Sequence, residues 1–200
     1  GRDALAANTT GSSNVAVGHD ALDANTTAGN NTAVGTSALT SNTTGSENTA
    51  VGTNALAANT TATDNTGIGV NALQLTTTGD DCTAVGRSAL EANTTGTQNT
   101  AVGRSSLAGA TTGGQNTAMG ESALISVTTG SGNTAFGREA GKLITRNHNT
   151  CLGNQAGDAI TTGGNNLILG KGCAASAVDA EVRLVLGANA TCVGDGNFTI

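Results

Sequence analysis

The stretch Asn48-Thr49-Ala50-Val51-Gly52 decides the fold, because it returns along the whole chain. Its glycine recurs at Gly1, Gly18, Gly35, Gly52, Gly69, Gly86, Gly103, Gly120, Gly137, Gly153, Gly170 and Gly187. Ten of the eleven intervals are 17 residues and one, Gly137 to Gly153, is 16. A short period kept from end to end marks a solenoid, whose units bury their apolar sides only by stacking on one another. With the glycine as position 0, a unit reads G-x-x-A-L-x-x-N-T-T-G-x-x-N-T-A-V. From Gly35 it runs through Ala38, Leu39, Asn42, Thr43, Thr44, Gly45, Asn48, Thr49, Ala50 and Val51.

Thr and Val favour strands, while Gly and Asn supply turns. Two short extended segments per unit follow, one at NTAV and one at NTT. Two glycines and a β-branched run in each unit argue against helix. The expected fold is therefore all-β: a parallel β-solenoid, or β-roll, of 17-residue coils. Coils stacked about 4.8 Å apart give a rod of roughly 50 Å.

Composition agrees. Two Phe and no Tyr, Trp or Pro exclude an ordinary aromatic-rich core. The strict apolar period and a net charge of only −6 argue against disorder. With 14 acidic and 8 basic residues and no basic cluster, nucleic acid is not an expected partner. No apolar run reaches the length of a membrane span and no signal peptide is evident, so no membrane partner is expected. Gly1 is not an initiator Met yet sits in phase with the repeat, which points to a segment of something longer.

Which side chains face inward is read from what each column tolerates. The residue before the glycine varies among large apolars (Val17, Ile68, Met119, Phe136, Leu152, Leu169), which reads as an inward column. Alternation then turns Thr49 inward and Ala50 outward. The leucines from Leu5 to Leu124 form a second inward filler. Ala16, Ala33, Ala50, Gly67, Ala84, Ala101, Ala118 and Ala135 become a small, uncharged outer column, the expected contact between subunits. A coil holding only one Val and one Leu looks underfilled, which also favours association.

Residues 1–137 form the regular solenoid. Over 138–187 the leucine column becomes Gly141 and Gly157, and NTT becomes Ile144-Thr145-Arg146 and Ile160-Thr161-Thr162. The strands turn aliphatic at Leu167-Ile168-Leu169 and Leu184-Val185-Leu186, as in strands buried on both faces. This reads as variant terminal coils, with 188–200 an exit toward a following domain.

No constellation for chemistry is expected. His19 and His148 lie about eight coils apart and read as solvated turn residues. Asp23, Glu91 and Asp158 share a repeat position but are several coils apart. Gly113-Gly114 and Gly163-Gly164 are turn glycines with no helix behind them, not phosphate loops. Cys82, Cys151, Cys173 and Cys192 form no column and no CxxC, and read as small fillers. Triplets such as Asn8-Thr9-Thr10 and Asn42-Thr43-Thr44 match glycosylation sequons, but the repeat itself generates them. The expectation is a non-enzyme without catalytic, cofactor or metal site.

The NTAVG…AL…NTTG unit resembles the YadA-like head repeat of trimeric autotransporter adhesins, and more closely the repeats of phage tail-fibre proteins. The resemblance covers residues 1–187, and Asn165–Gly170 and Arg183–Gly187 look like coils that precede a fibre tip or a self-cleaving chaperone domain. It implies a left-handed, homotrimeric β-roll serving as the rod of a virion fibre. Such a rod spaces or displays a host-recognition element, its partners being itself, other fibre or virion proteins and, through another part of the chain, a host receptor. The alternative is the head of a bacterial surface adhesin. An outward ladder at Thr44 and its equivalents raises a third reading, an ice-binding solenoid.

Overall fold

The computed structural model describes residues 1–175, 179, 181–192 and 198–199. Among them there is no helix. One three-residue strand per coil, from β1 (Val15–Val17) through β10 (Leu167–Leu169), stacks in sequence order, every pair parallel. The sheet continues through β12 (Leu184–Leu186) to β14 (Phe198–Thr199) and totals twelve strands. Register is one repeat per step, as in Thr32↔Thr49, Ala33↔Ala50 and Val34↔Val51. The 16-residue coil keeps it, pairing Thr134 with Thr150. The solenoid of 17-residue coils is as the period requires.

The repeated glycine ends each strand for two reasons. Gly52 has φ +136°, and a Cβ there would lie 2.5 Å from the carbonyl oxygen of Gly69 in the next coil. No other residue suits both that backbone and that approach. Beyond it the chain reverses through alternating left-handed residues, Ser37 (φ 57°) and Leu39 (φ 52°) in one coil. The same conformation recurs at each leucine of this column, Leu5, Leu22, Leu39, Leu56, Leu73, Leu90, Leu107 and Leu124. A left-handed leucine costs about 1–2 kcal/mol. From Leu22 on the leucines of this column are fully buried, which contributes about 2 kcal/mol each and offsets that cost.

Only one of the two expected strands forms in the regular coils. At NTT the amides of Thr43 and Thr44 both donate to the carbonyl of Thr60, at 3.0 and 3.2 Å, and the Thr43 hydroxyl joins them at 3.0 Å. Three donors on one oxygen stack the coils without a strand ladder. A second strand pair appears only near the end, β11 (Ala174–Ala175) with β13 (Thr191–Cys192).

The assignment of faces is corrected. Ala33, Ala50, Ala84, Ala101, Ala118 and Ala135 are fully buried within the chain itself, Gly67 is buried and Ala16 is partly buried against the same core. The column predicted to lie inside is outside: Val17 is 56% exposed, Ile68 40% and Leu152 49%. Thr49 and its equivalents share that outer face and are half-buried. The reason is space. A Cβ on Gly67 would stand 3.4 Å from Leu56 Cγ, so the inward position faces the leucine column and admits nothing much larger than Ala. Variable bulk marks the side with no wall opposite. The aliphatic strands follow the same rule, since Ile168 is buried while Leu167 is 38% exposed, so they are not buried on both faces within the chain.

The interior is also more polar than expected. Asn31, Asn48, Asn65, Asn99, Asn116, Asn133, Asn149 and Asn166, each four residues before the glycine, are buried. Asn48 Oδ1 accepts the Asn65 amide at 3.1 Å, and Asn48 Nδ2 donates to Ala62 O at 2.8 Å. A second column at position 7 runs through Asn25, Asn42 and Asn59, side chain to side chain, with Asn59 Nδ2 donating to Asn42 Oδ1 at 2.8 Å and to Ala62 O at 3.1 Å. The two ladders thus meet on one carbonyl. They fill the space that made the coil look empty, and leave few buried polar atoms unpaired.

Candidate functional site

Among the described residues no cleft of ligand size opens. What the molecule offers is its outer surface, made of columns running the length of the rod. The first is the outer face of the sheet. Its two columns, Val15 to Leu184 before the buried residue and Val17 to Leu186 after it, contain only Thr, Val, Ile, Met, Phe and Leu. The second is the outer threonine of each NTT: Thr10, Thr27, Thr44, Thr61, Thr78, Thr95, Thr112 and Thr129, all exposed. From Thr9 to Thr111 the first threonine of each pair turns its hydroxyl onto the next coil, as Thr94 Oγ1 does to Thr111 O at 3.0 Å. The second is left facing water.

Charge gathers elsewhere, in the two residues after the glycine. Arg104 pairs with Glu121 on the next coil, and that contact holds the Glu121 carboxyl below its usual range. Glu139 takes Gln155 Nε2 at 2.8 Å and Lys142 Nζ at 3.2 Å, which lower its pKa in that order of effect. These are solvated columns, and they drift through Arg, Glu, Asn and Lys. At the start of the rod Asp3, His19 and Asp20 bring one ligand atom each within 4.8 Å of one another. Arg2 Nε already holds Asp3 at 3.0 Å, His19 Nδ1 lies 2.8 Å from Asp20, and the side chains of Asp3 and His19 are about half exposed, so the cluster is a group of surface polar contacts.

The remaining sequence candidates fall as follows. His19 and His148 are exposed turn residues on distant coils. Asp23, Glu91 and Asp158 are half-buried and far apart. Cys82, Cys151 and Cys173 are free and buried, as fillers should be, and the Cys192 side chain lies outside those described. Burial pushes the Cys82 thiol up to about 11 and the Cys151 thiol up to about 12, so neither is a nucleophile at neutral pH. The sequon asparagines Asn25, Asn42, Asn59 and Asn93 are fully buried in the ladder, beyond the reach of a modifying enzyme in the folded chain. The predicted alanine contact is interior, for the reason of space given above. Part of the proposed exit segment, 193–197 and 200, lies outside the described residues.

Two signals missed in the sequence are plain in hindsight. One residue type of fixed size, Ala, marks the inner wall. One polar type, Asn, kept in all coils from Asn14 to Asn166 but that of Cys82, marks a buried ladder, because a solvated turn drifts as the charged columns do. No protein family, curated protein or solved structure matches the chain.

Proposed function

We propose that this chain is the structural rod of a trimeric fibre, most like a phage tail fibre, which spaces or displays a recognition element carried elsewhere. The observation that supports it most is the unbroken one-repeat register from Val15 to Leu186. Each coil contacts its neighbours, so coils are interchangeable and length is the property the architecture sets. The head of a bacterial surface adhesin would use the same rod.

Removal of residues 53–69 tests the reading, since it joins Gly52 to Val70 with every column in phase. The shortened fibre folds, stays trimeric, loses about 4.8 Å of length and attaches to its host as before. Deleting 53–65 breaks phase and costs folding. Loss of attachment by the in-phase deletion, with assembly intact, would place recognition in these coils and overturn the spacer role.

One observation favours a second reading. Eight exposed threonines stand in one straight column spaced about 4.8 Å apart, a regular hydroxyl row of the kind an ice-binding solenoid presents. Thermal hysteresis of the purified rod decides it. A freezing-point gap abolished by Thr61→Lys and Thr78→Lys supports ice binding, and its absence in the parent chain removes that reading.

A further inference from the structure

We propose that copies of this chain meet through the outer face of the sheet, by its Thr and Val columns. This rests on the reading of the chain as a multimeric rod, and replaces the alanine column as the place of contact.

Three observations carry it. The face is uncharged from Val15 to Leu186, on a molecule whose neighbouring columns carry Arg87, Arg104, Glu121 and Arg138. Copies share the same net charge of −6, so they approach best where no like charges confront each other. The face is also where large apolar side chains stand in water: Val17, Ile68, Met119, Phe136, Leu152 and Leu167 are all 37% exposed or more.

Period and area then select the occupant. Side chains along each column repeat with the strand spacing of about 4.8 Å, over the ten steps in register from Val15 to Leu186. A surface that interdigitates with such a ridge along its length needs the same period, and a second copy has it. A strand of three residues is about 10 Å wide and the sheet about 50 Å long, giving about 500 Å² per chain. Two such faces pressed together bury about 1,000 Å², which reaches the lower bound for a specific interface, so the face is large enough to hold a second copy. Three chains turning these faces to a common axis have the closed symmetry usual for soluble oligomers.

The test is the mass and fold of Val102→Arg beside Thr112→Arg, by light scattering and far-UV circular dichroism. The parent and Thr112→Arg are expected at three chain masses, and Val102→Arg at one, a threefold drop with the β-spectrum retained. A Val102→Cys variant gives a second readout that needs no charge: mild oxidation links chains through residue 102, whereas Thr112→Cys leaves them unlinked. If the parent is trimeric while Val102→Arg also assembles and Val102→Cys does not cross-link, the proposed face is wrong and the multimeric rod stands. A parent that stays monomeric at all concentrations overturns both.

Discussion

The regular coils of residues 1–137 and the variant coils after them enclose the same cross-section with different fillings. In the regular coil an inward Ala faces a left-handed Leu, and up to Asn93 an Asn occupies position 7 in every coil but that of Thr76. In the variant coils the inward residue grows to Cys151, Ile168 and Val185, and the leucine shrinks to Gly141 and Gly157. Position 7 passes from Asn93 through Ala110 and Val127 to Ile144 and Ile160. The exchange is direct: a Cβ on Gly141 would lie 2.8 Å from Leu124 Cδ2 and 2.9 Å from Ile144 Cδ1. What both regions keep is a filled interior and, in all coils but those of Cys82 and Arg183, the asparagine before the strand. Individual side chains are negotiable, provided their sum is constant.

Breaking what the regions share has the largest effect. Asn116 Oδ1 accepts the Asn133 amide at 3.0 Å, and its Nδ2 donates to Gly130 O at 2.9 Å. Asn116→Ala strands both partners in a buried site, at a cost of about 4 kcal/mol. Chemical denaturation reads it as a lower unfolding midpoint. A loss below 1 kcal/mol would show that the ladder is decoration.

Exchanging the fillings comes next. Gly141→Leu alone overpacks the coil by about 2–3 kcal/mol, although the backbone itself accepts leucine, since Gly141 has φ 58° and Leu124 φ 50°. Ile144→Asn added to it rebuilds the regular pair and recovers most of that loss. A double-mutant cycle measures the coupling. Strict additivity would mean that the two columns do not trade volume.

The smallest effect sharpens the ladder in the regular region. Asn59 Oδ1 and Asn93 Oδ1 are buried without a partner, each beside a break in the position-7 column. Thr76 follows Asn59 and has no amide to donate, and Ala110 follows Asn93. Thr76→Asn supplies the missing donor and stabilises by about 1 kcal/mol. A rise in melting temperature checks it, and a fall would show that Asn does not fit at residue 76.

Much of this is legible in the amino-acid sequence. The glycine period gave the coil length, the direction of stacking and the register, because Gly52 and its equivalents answer to backbone constraints that no other residue meets. The inward leucines and the filler cysteines were also readable. The faces of the strand were not, since Thr49-Ala50-Val51 satisfies alternation in either sense. Hydrophobicity favoured Val inside, whereas the wall formed by Leu56 and its equivalents leaves room only for Ala. The asparagine ladders were hidden by habit: Asn beside Gly and Thr reads as turn chemistry, and only its recurrence from Asn31 to Asn166, broken once by Cys82, marks it as interior.

The account rests on the sense of that strand, and a pair of neighbouring substitutions tests it most directly. Ala101 is fully buried, while Val102 sits on the outer face, where the same column already holds leucine at Leu152. Urea unfolding of Ala101→Leu and Val102→Leu compares the two sides of one strand. Ala101→Leu should lose several kcal/mol or fail to fold, while Val102→Leu should unfold within about 0.5 kcal/mol of the parent. The opposite ranking, with Ala101→Leu tolerated and Val102→Leu disruptive, would contradict the structure and return the alanine column to the surface.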